Sequence, residues 1–203
     1  MTIIPNLRNL LIGLFFLAGC STPYNPMDDY EQVTSATILE SPAPAPQVDY
    51  PPDMVNQGRY MVGLLGCGSC HTNGALVGFP NSSQLLAGSN TGIAYSNPMV
   101  VDKPGIVYPS NLTPDVETGI GTWSLEQIIA MVRGGFDNHG SQTLPVMPWP
   151  SYANINNEDA ESIAMYLKSL APVRHQVPAN VMPGQDATAP FVHFGVYQSR
   201  DQR

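Results

Sequence analysis

Cys67-Gly-Ser-Cys70-His71 gathers two thiols and an imidazole within five residues. Two cysteines at this spacing, followed at once by histidine, form the attachment pattern of a c-type haem. The chemistry accounts for the spacing. Each thiol adds to one vinyl group of the porphyrin, so the two sulfurs must span one edge of the ring. The next side chain then lies under the ring, where its imidazole can ligate iron. The motif therefore predicts thioether bonds at Cys67 and Cys70 and an axial bond from His71. Three readings compete with it. One is a chance CxxC beside a histidine. A thioredoxin-like redox pair expects a βαβ context, whereas Gly58 to Gly66 reads as helix. A structural zinc site needs four ligands, and no second cysteine pair or H-x3-5-H follows; His139, His175 and His193 are scattered.

A six-coordinate electron-transfer haem needs a second ligand, usually Met or His. Met131 and Met165 fall within helical patterns, where methionine fills cores. Met54 and Met61 precede the attachment site, and Met27 and Met182 lie outside the expected domain. Met147 sits in Leu144-Pro-Val-Met-Pro-Trp-Pro150, where flanking prolines fix the backbone and hold the thioether in place. It is the expected ligand, with His139 in Asn138-His-Gly140 as its rival. Arg133 is one of few cations in the region. It reads either as the partner of a haem propionate or as a solvated arginine favoured by a helix C-terminus. Leu112, Ile120, Trp123, Ile129, Trp149 and Tyr152 are candidate walls of the haem pocket or generic core.

Three helices must position these residues. The first starts near Asp53, a good N-cap after Pro51-Pro52, and carries Gly58, Met61, Val62 and Leu65 on one face before delivering Cys67. The second opens on Ser124-Leu-Glu-Gln127, a capping box with Trp123 as staple; it shows Leu125, Ile128, Ile129 and Val132 as its stripe, and stops at Gly134-Gly135. The third runs from about Asn157 to Leu170, with Ala160, Ile163, Ala164, Leu167 and Ala171 in helical register and Pro172 closing it. Between His71 and Pro109 the glycines and prolines read as loops, with a short strand pair at Met99–Val101 and Gly105–Tyr108. The expectation is a small all-α domain over residues 53–173 that closes on haem as its apolar mass.

The N-terminus reads as an export and anchoring signal. Arg8 precedes the apolar run Leu10–Leu17, which is too short to span a bilayer. Leu17-Ala-Gly-Cys20 is similar to a bacterial lipobox, which implies a signal peptide over 1–19 and lipid on Cys20; the alternative is an ordinary signal or an uncleaved anchor. Ser21 after the cysteine slightly favours outer-membrane sorting by the same resemblance. Residues 20–52, with Ser41-Pro-Ala-Pro-Ala-Pro46, read as a stiff proline-rich tether holding the domain off the membrane. Residues 174–203 form a tail whose string Phe191-Val-His-Phe-Gly-Val-Tyr197 is open to packing on the domain or to contacting a partner. The formal charge is -8. Loss of residues 1–19 removes Arg8 and no acid, so the mature chain is one unit more negative. Such a surface argues against nucleic acid and against anionic lipid bound through a basic patch.

Taken in order, Cys67–His71, Asn111-Leu-Thr-Pro-Asp115, Glu117-Thr-Gly-Ile-Gly-Thr-Trp-Ser124, Arg133-x-Gly135, Met147-Pro-Trp149 with Tyr152, and Glu158-Asp through Tyr166-Leu-x-Ser-Leu170 resemble the mono-haem cytochrome c domains of cytochrome subunits of bacterial membrane dehydrogenases. The resemblance implies a small cytochrome c fold around one covalent haem c. It places the methionine ligand on Met147, and the crossing of first and last helices near Gly58 and Tyr166-Leu167. The chain departs from those multi-domain subunits in its single haem motif, its lipobox and its tail. The function expected is electron transfer by a lipid-anchored periplasmic carrier that exchanges electrons with a dehydrogenase, an oxidase or another cytochrome. The alternatives are a fixed subunit of such a complex, a haem peroxidase or gas-binding protein with an open sixth site, and a haem-free lipoprotein with a redox CxxC pair.

Overall fold

Pro51 and Pro52 open the first helix, α1 (Pro52–Leu64), without any side-chain cap. Proline at the first helical position costs no hydrogen bond and presets φ. Asp53 thus lies in the first turn rather than at the cap, where its carboxylate still meets the positive end of the helix. The computed structural model describes residues 31–36, 39–47, 49–97, 101–134 and 146–194. The lipobox with Cys20, the apolar run before it and His139 lie outside these residues. After α1 come α2 (Cys67–His71), single 3-10 turns at Ala75–Val77 and Ser82–Gln84, and strands β1 (Gly92–Ala94) and β2 (Ile106–Val107). Helices α3 (Leu125–Gly134), α4 (Trp149–Tyr152) and α5 (Asn157–Lys168) follow, and strand β3 (Phe191–His193) ends the series.

The caps explain where α3 and α5 begin. Gln127 N–H donates to Ser124 Oγ at 3.3 Å, and Ser124 N–H donates to Gln127 Oε1 at 2.9 Å. These two bonds are the reciprocal capping box expected from Ser124-Leu-Glu-Gln127. Asn156 caps α5 by accepting from Asp159 N–H at 2.8 Å. Helices α1 and α5 pack directly on each other. At their crossing a Cβ on Gly58 would stand 1.9 Å from the Ser162 carbonyl oxygen and 2.6 Å from Tyr166 Cβ, so only glycine lets the backbones approach this far. Val55, Val62, Ile128, Val132, Ile163, Ala164, Leu167 and Leu170 form the buried core, joined by Leu86, Leu112 and Ile120 from the loops.

The all-α expectation holds for the helices and misses a small sheet. Its order is β2-β1-β3, with β1 antiparallel to β2 and parallel to β3. Ile93 pairs with Val107, and Gly92 with Phe191. The expected partner of the Gly105–Tyr108 segment was Met99–Val101; the structure gives it β1 instead, while Met99 and Val100 lie outside the described residues. The tail is part of this layer. Ile106 and Val181 exchange backbone bonds of 2.8 and 2.9 Å, and Tyr108 OH donates to Ala189 O at 2.9 Å. Ile106, Tyr108 and Val181 are buried together beneath Val177, Ala189 and Phe191.

The proline-rich segment also differs from its expectation. At residue 36 and again over residues 39–45 it lies along the domain instead of standing off it. Ala36 N–H donates to Ala75 O and Ala45 N–H to Ser169 O, both at 2.8 Å. Tyr166 OH donates to Pro42 O at 2.6 Å, and the Arg59 guanidinium donates to Ser41 O at 2.8 and 3.0 Å. Proline removes donors but keeps carbonyls, and its fixed φ makes the strap extended before it binds. The same stiffness that reads as a spacer thus also suits a strap.

Candidate functional site

Gly66, with φ 68° and ψ 26°, turns the chain from α1 into α2, and this left-handed conformation favours glycine. The turn sets Cys67 at the start of α2. Residues three apart share a helix face, so Cys67 and Cys70 project to the same side. Both line a cavity of about 530 Å³, together with His71, Leu112, Ile120, Trp123, Val132, Met147, Trp149 and Tyr152. Neither cysteine is in a disulfide. Burial pushes the Cys67 thiol up to about 12, and burial raises the Cys70 thiol as well.

His71 is buried, and its Nδ1 lies 2.7 Å from the Ser110 carbonyl oxygen. A carbonyl only accepts, so Nδ1 carries the proton and Nε2 keeps its lone pair. A hydrogen bond of this kind orients an imidazole and raises its basicity toward a metal. Burial holds the His71 pKa below the usual histidine value, the bond to Ser110 opposing it in part. The neighbouring backbone is fixed in turn. Gly88 N–H donates to His71 O at 2.8 Å, and Leu86 N–H donates to Thr72 Oγ1 at 3.1 Å. Leu86 adopts φ 58°, rare for a branched side chain, and is held there by that bond and by Leu112 N–H on its carbonyl at 2.8 Å.

The loop after Ser110 builds the next wall. Buried Asn111 donates to Val173 O at 2.7 Å and Thr118 Oγ1 at 3.1 Å, and it accepts from Thr113 N–H and Oγ1–H at 2.9 and 2.7 Å. Asp115 accepts from Thr118 Oγ1–H and N–H, both at 2.7 Å, and from Glu117 N–H at 3.2 Å. These locks present Thr118, Gly119 and Ile120 to the cavity. On the third side, Trp149 Nε1–H donates to Met131 O at 3.1 Å and Tyr152 OH to Leu65 O at 3.2 Å. They tie α4 to α3 and to the end of α1, with Met147 just ahead of α4. Burial pushes the Tyr152 phenol up to about 12.

Cys67, Cys70, His71 and Met147 therefore share the wall of one cavity. Arg133 is not among its lining residues: its Nε–H donates to Ile155 O at 2.8 Å, and its Nη2 reaches the same oxygen. These bonds make Arg133 a tie between α3 and the turn before α5. Ile129 packs on the core without lining the cavity. His175 binds Ala87 O through Nδ1 at 2.8 Å. No group of three His, Cys, Asp or Glu among the described residues stands together to hold a bare metal ion. The sequence reading missed Ser110, whose contribution is a backbone carbonyl. It also missed Ile93, Val107, Tyr108, Asn180 and Phe194, which reach the cavity through the sheet and the tail. The Asn-x-Thr and Asp-x-x-Thr patterns at 111–118 were the available signal for a locked loop.

The cavity fits a haem. Its volume lies within the usual ~300–1,000 Å³ of cofactor pockets. Among the described residues its lining is mainly apolar and holds no Lys, Arg, Asp or Glu. Two thiols, an imidazole nitrogen with a free lone pair and a thioether are the donor set of a c-type haem site.

No family model matches the chain. It is 33% identical over 160 residues to one of the subunits of nicotinate dehydrogenase from Pseudomonas putida, covering 74% of this chain and 12% of that protein. It is 34% identical over 130 residues to the fructose dehydrogenase cytochrome subunit of Gluconobacter japonicus, covering 64% of this chain and 24% of the relative. With the cytochrome c subunit of the quinone alcohol dehydrogenase of Gluconobacter oxydans it shares 31% identity over 124 residues, 61% of this chain and 23% of the relative. The chain thus spans a quarter or less of the length of these relatives.

Proposed function

This chain carries a cytochrome c domain similar to those of the cytochrome subunits of bacterial dehydrogenases, and on that premise we propose that it transfers electrons through one covalently bound haem c. The observation that carries the reading is the convergence of Cys67, Cys70, His71 and Met147 on one cavity whose described lining is uncharged. In this reading Cys67 and Cys70 hold the ring as thioethers, and His71 and Met147 are the axial ligands. Haem supplies a reversible one-electron couple. The protein's part is to keep the site rigid, dry and closed. The bond from Nδ1–H to Ser110 O keeps the imidazole in one tautomer and one orientation. Trp149 and Tyr152 fix the segment that presents the thioether. The apolar wall disfavours added positive charge, and so does thioether ligation, so both favour the ferrous state and raise the potential. No side chain is asked to move a proton or attack a substrate; the chain is a carrier and not itself a catalyst.

The proposal extends to location. Cys20 would carry lipid after removal of residues 1–19, placing the domain on the periplasmic side of a membrane, the outer membrane slightly favoured. Its partners would be redox proteins and not nucleic acid. A second reading, a fixed subunit of a dehydrogenase, draws on the names of the relatives. A dehydrogenase that co-purifies with the intact chain from membranes favours it; isolation of the chain alone favours a free carrier. The test of the haem assignment is a haem stain after denaturing electrophoresis. The wild-type chain should stain at its own mass, and the Cys67→Ser/Cys70→Ser variant should not. An unstained wild-type chain, produced with its export signal, sinks the proposal.

A further inference from the structure

Two residues of the C-terminal segment, Asn180 and Phe194, reach the wall of the cavity. Among the described residues, no cationic side chain lines that cavity, yet a haem brings carboxylates with its propionates, and an ionised carboxylate needs hydrogen-bond donors. Most polar side chains of the wall have already committed theirs. Trp149 donates to Met131 O, Tyr152 to Leu65 O and Tyr108 OH to Ala189 O. Asn111 donates to Thr118 and Val173. Asn180 is different. Its Oδ1 accepts from Tyr108 N–H at 2.9 Å, which settles the end of the amide that is oxygen and leaves Nδ2 with both its N–H groups. The backbone beside it is pinned by the paired bonds between Val181 and Ile106. The residue is exposed while lining the cavity, which places it at the mouth. Phe194, 54% exposed, stands at the same wall. Ser110 and Trp123 also line the cavity, but neither side chain has a hydrogen bond among the described residues that fixes its direction.

The geometry points to Asn180 as the donor to a haem propionate, so that the C-terminal segment completes the cofactor site. This inference rests on the haem reading above. A neutral amide satisfies the carboxylate without adding charge beside the iron. The test is made on the haem-loaded chain in its ferrous form, labelled with nitrogen-15. The Asn180 side-chain amide, identified by its loss in Asn180→Ala, should show cross-relaxation to the propionate methylene protons. The propionate bending band in the resonance Raman spectrum should shift in Asn180→Ala. It should shift likewise in Asn180→Asp, which keeps the acceptor for Tyr108 N–H and loses the donors. An Asn180 that only supports Tyr108 gives no amide-to-haem cross-relaxation and an unshifted band in Asn180→Asp; either result on haem-loaded protein overturns this inference alone. A chain without covalent haem overturns it together with the reading on which it rests.

Discussion

At Gly58 a single missing methyl group decides how closely two helices cross. The ideal Cβ position lies 1.9 Å from the Ser162 carbonyl oxygen, and backbone cannot move aside as a side chain can. Gly58→Ala gains up to ~1 kcal/mol in helix propensity and loses more to overpacking, typically ~1–3 kcal/mol. A net destabilisation is expected. Gly63→Ala is the control, since its Cβ meets only the Ser41 hydroxyl at 3.2 Å, the end of a side chain that can rotate. Chemical unfolding of the haem-loaded variants should rank Gly58→Ala below wild type and Gly63→Ala near it; equal stability of the two variants would sink the account of the crossing. The gathering of Cys67, Cys70 and His71 at one cavity was legible at this scale, because the three are near in sequence. The acceptor for His71 was not legible, because the Ser110 carbonyl is backbone and every residue has one.

At the scale of elements, the loop from Asn111 to Ile120 does the work of a wall without regular secondary structure. Its rigidity comes from Asn111 and Asp115. The Thr118 hydroxyl bonded to the Asp115 carboxylate, then the Thr118 and Glu117 amides, hold that group below its usual value of 3.8. A carboxyl whose pKa is depressed by folding stabilises the fold above its unfolded pKa, and that contribution disappears as pH falls through the folded value, because the unfolded chain then binds more protons. The stability gap between wild type and Asp115→Asn should therefore be widest near neutral pH and shrink below about pH 4. Urea unfolding at pH 7 and pH 3 measures it; a gap that stays constant or widens in acid contradicts the assignment. Helices α3 and α5 were readable because caps and stripes are local signals. Strands of two or three residues carry no period, so β1 and β3 were not, and β2, which falls inside the expected Gly105–Tyr108 segment, was given the wrong partner. Their pairing is long-range, and nothing within residues 92–94 announces a partner at residues 191–193.

For the whole molecule, the folded unit extends beyond the 53–173 core in both directions. The strap at residues 39–45 closes over α1 and α5, and the segment through Phe194 adds a strand and two cavity residues. Composition misled at one end: proline carbonyls such as that of Pro42 accept bonds as well as any, here from Tyr166. At the other end, the string beginning at Phe191 was apolar enough to pack, but the sequence held no sign of what it packs against. The central claim concerns one site: that this fold holds a haem with His71 and Met147 as its axial ligands. Near-infrared absorption of the ferric protein tests it most directly, through the methionine-to-iron charge-transfer band. The account predicts that band in the wild-type chain and its loss in Met147→Ala, with haem still bound through Cys67 and Cys70. A band that survives in Met147→Ala, or is absent from haem-loaded wild type, contradicts it.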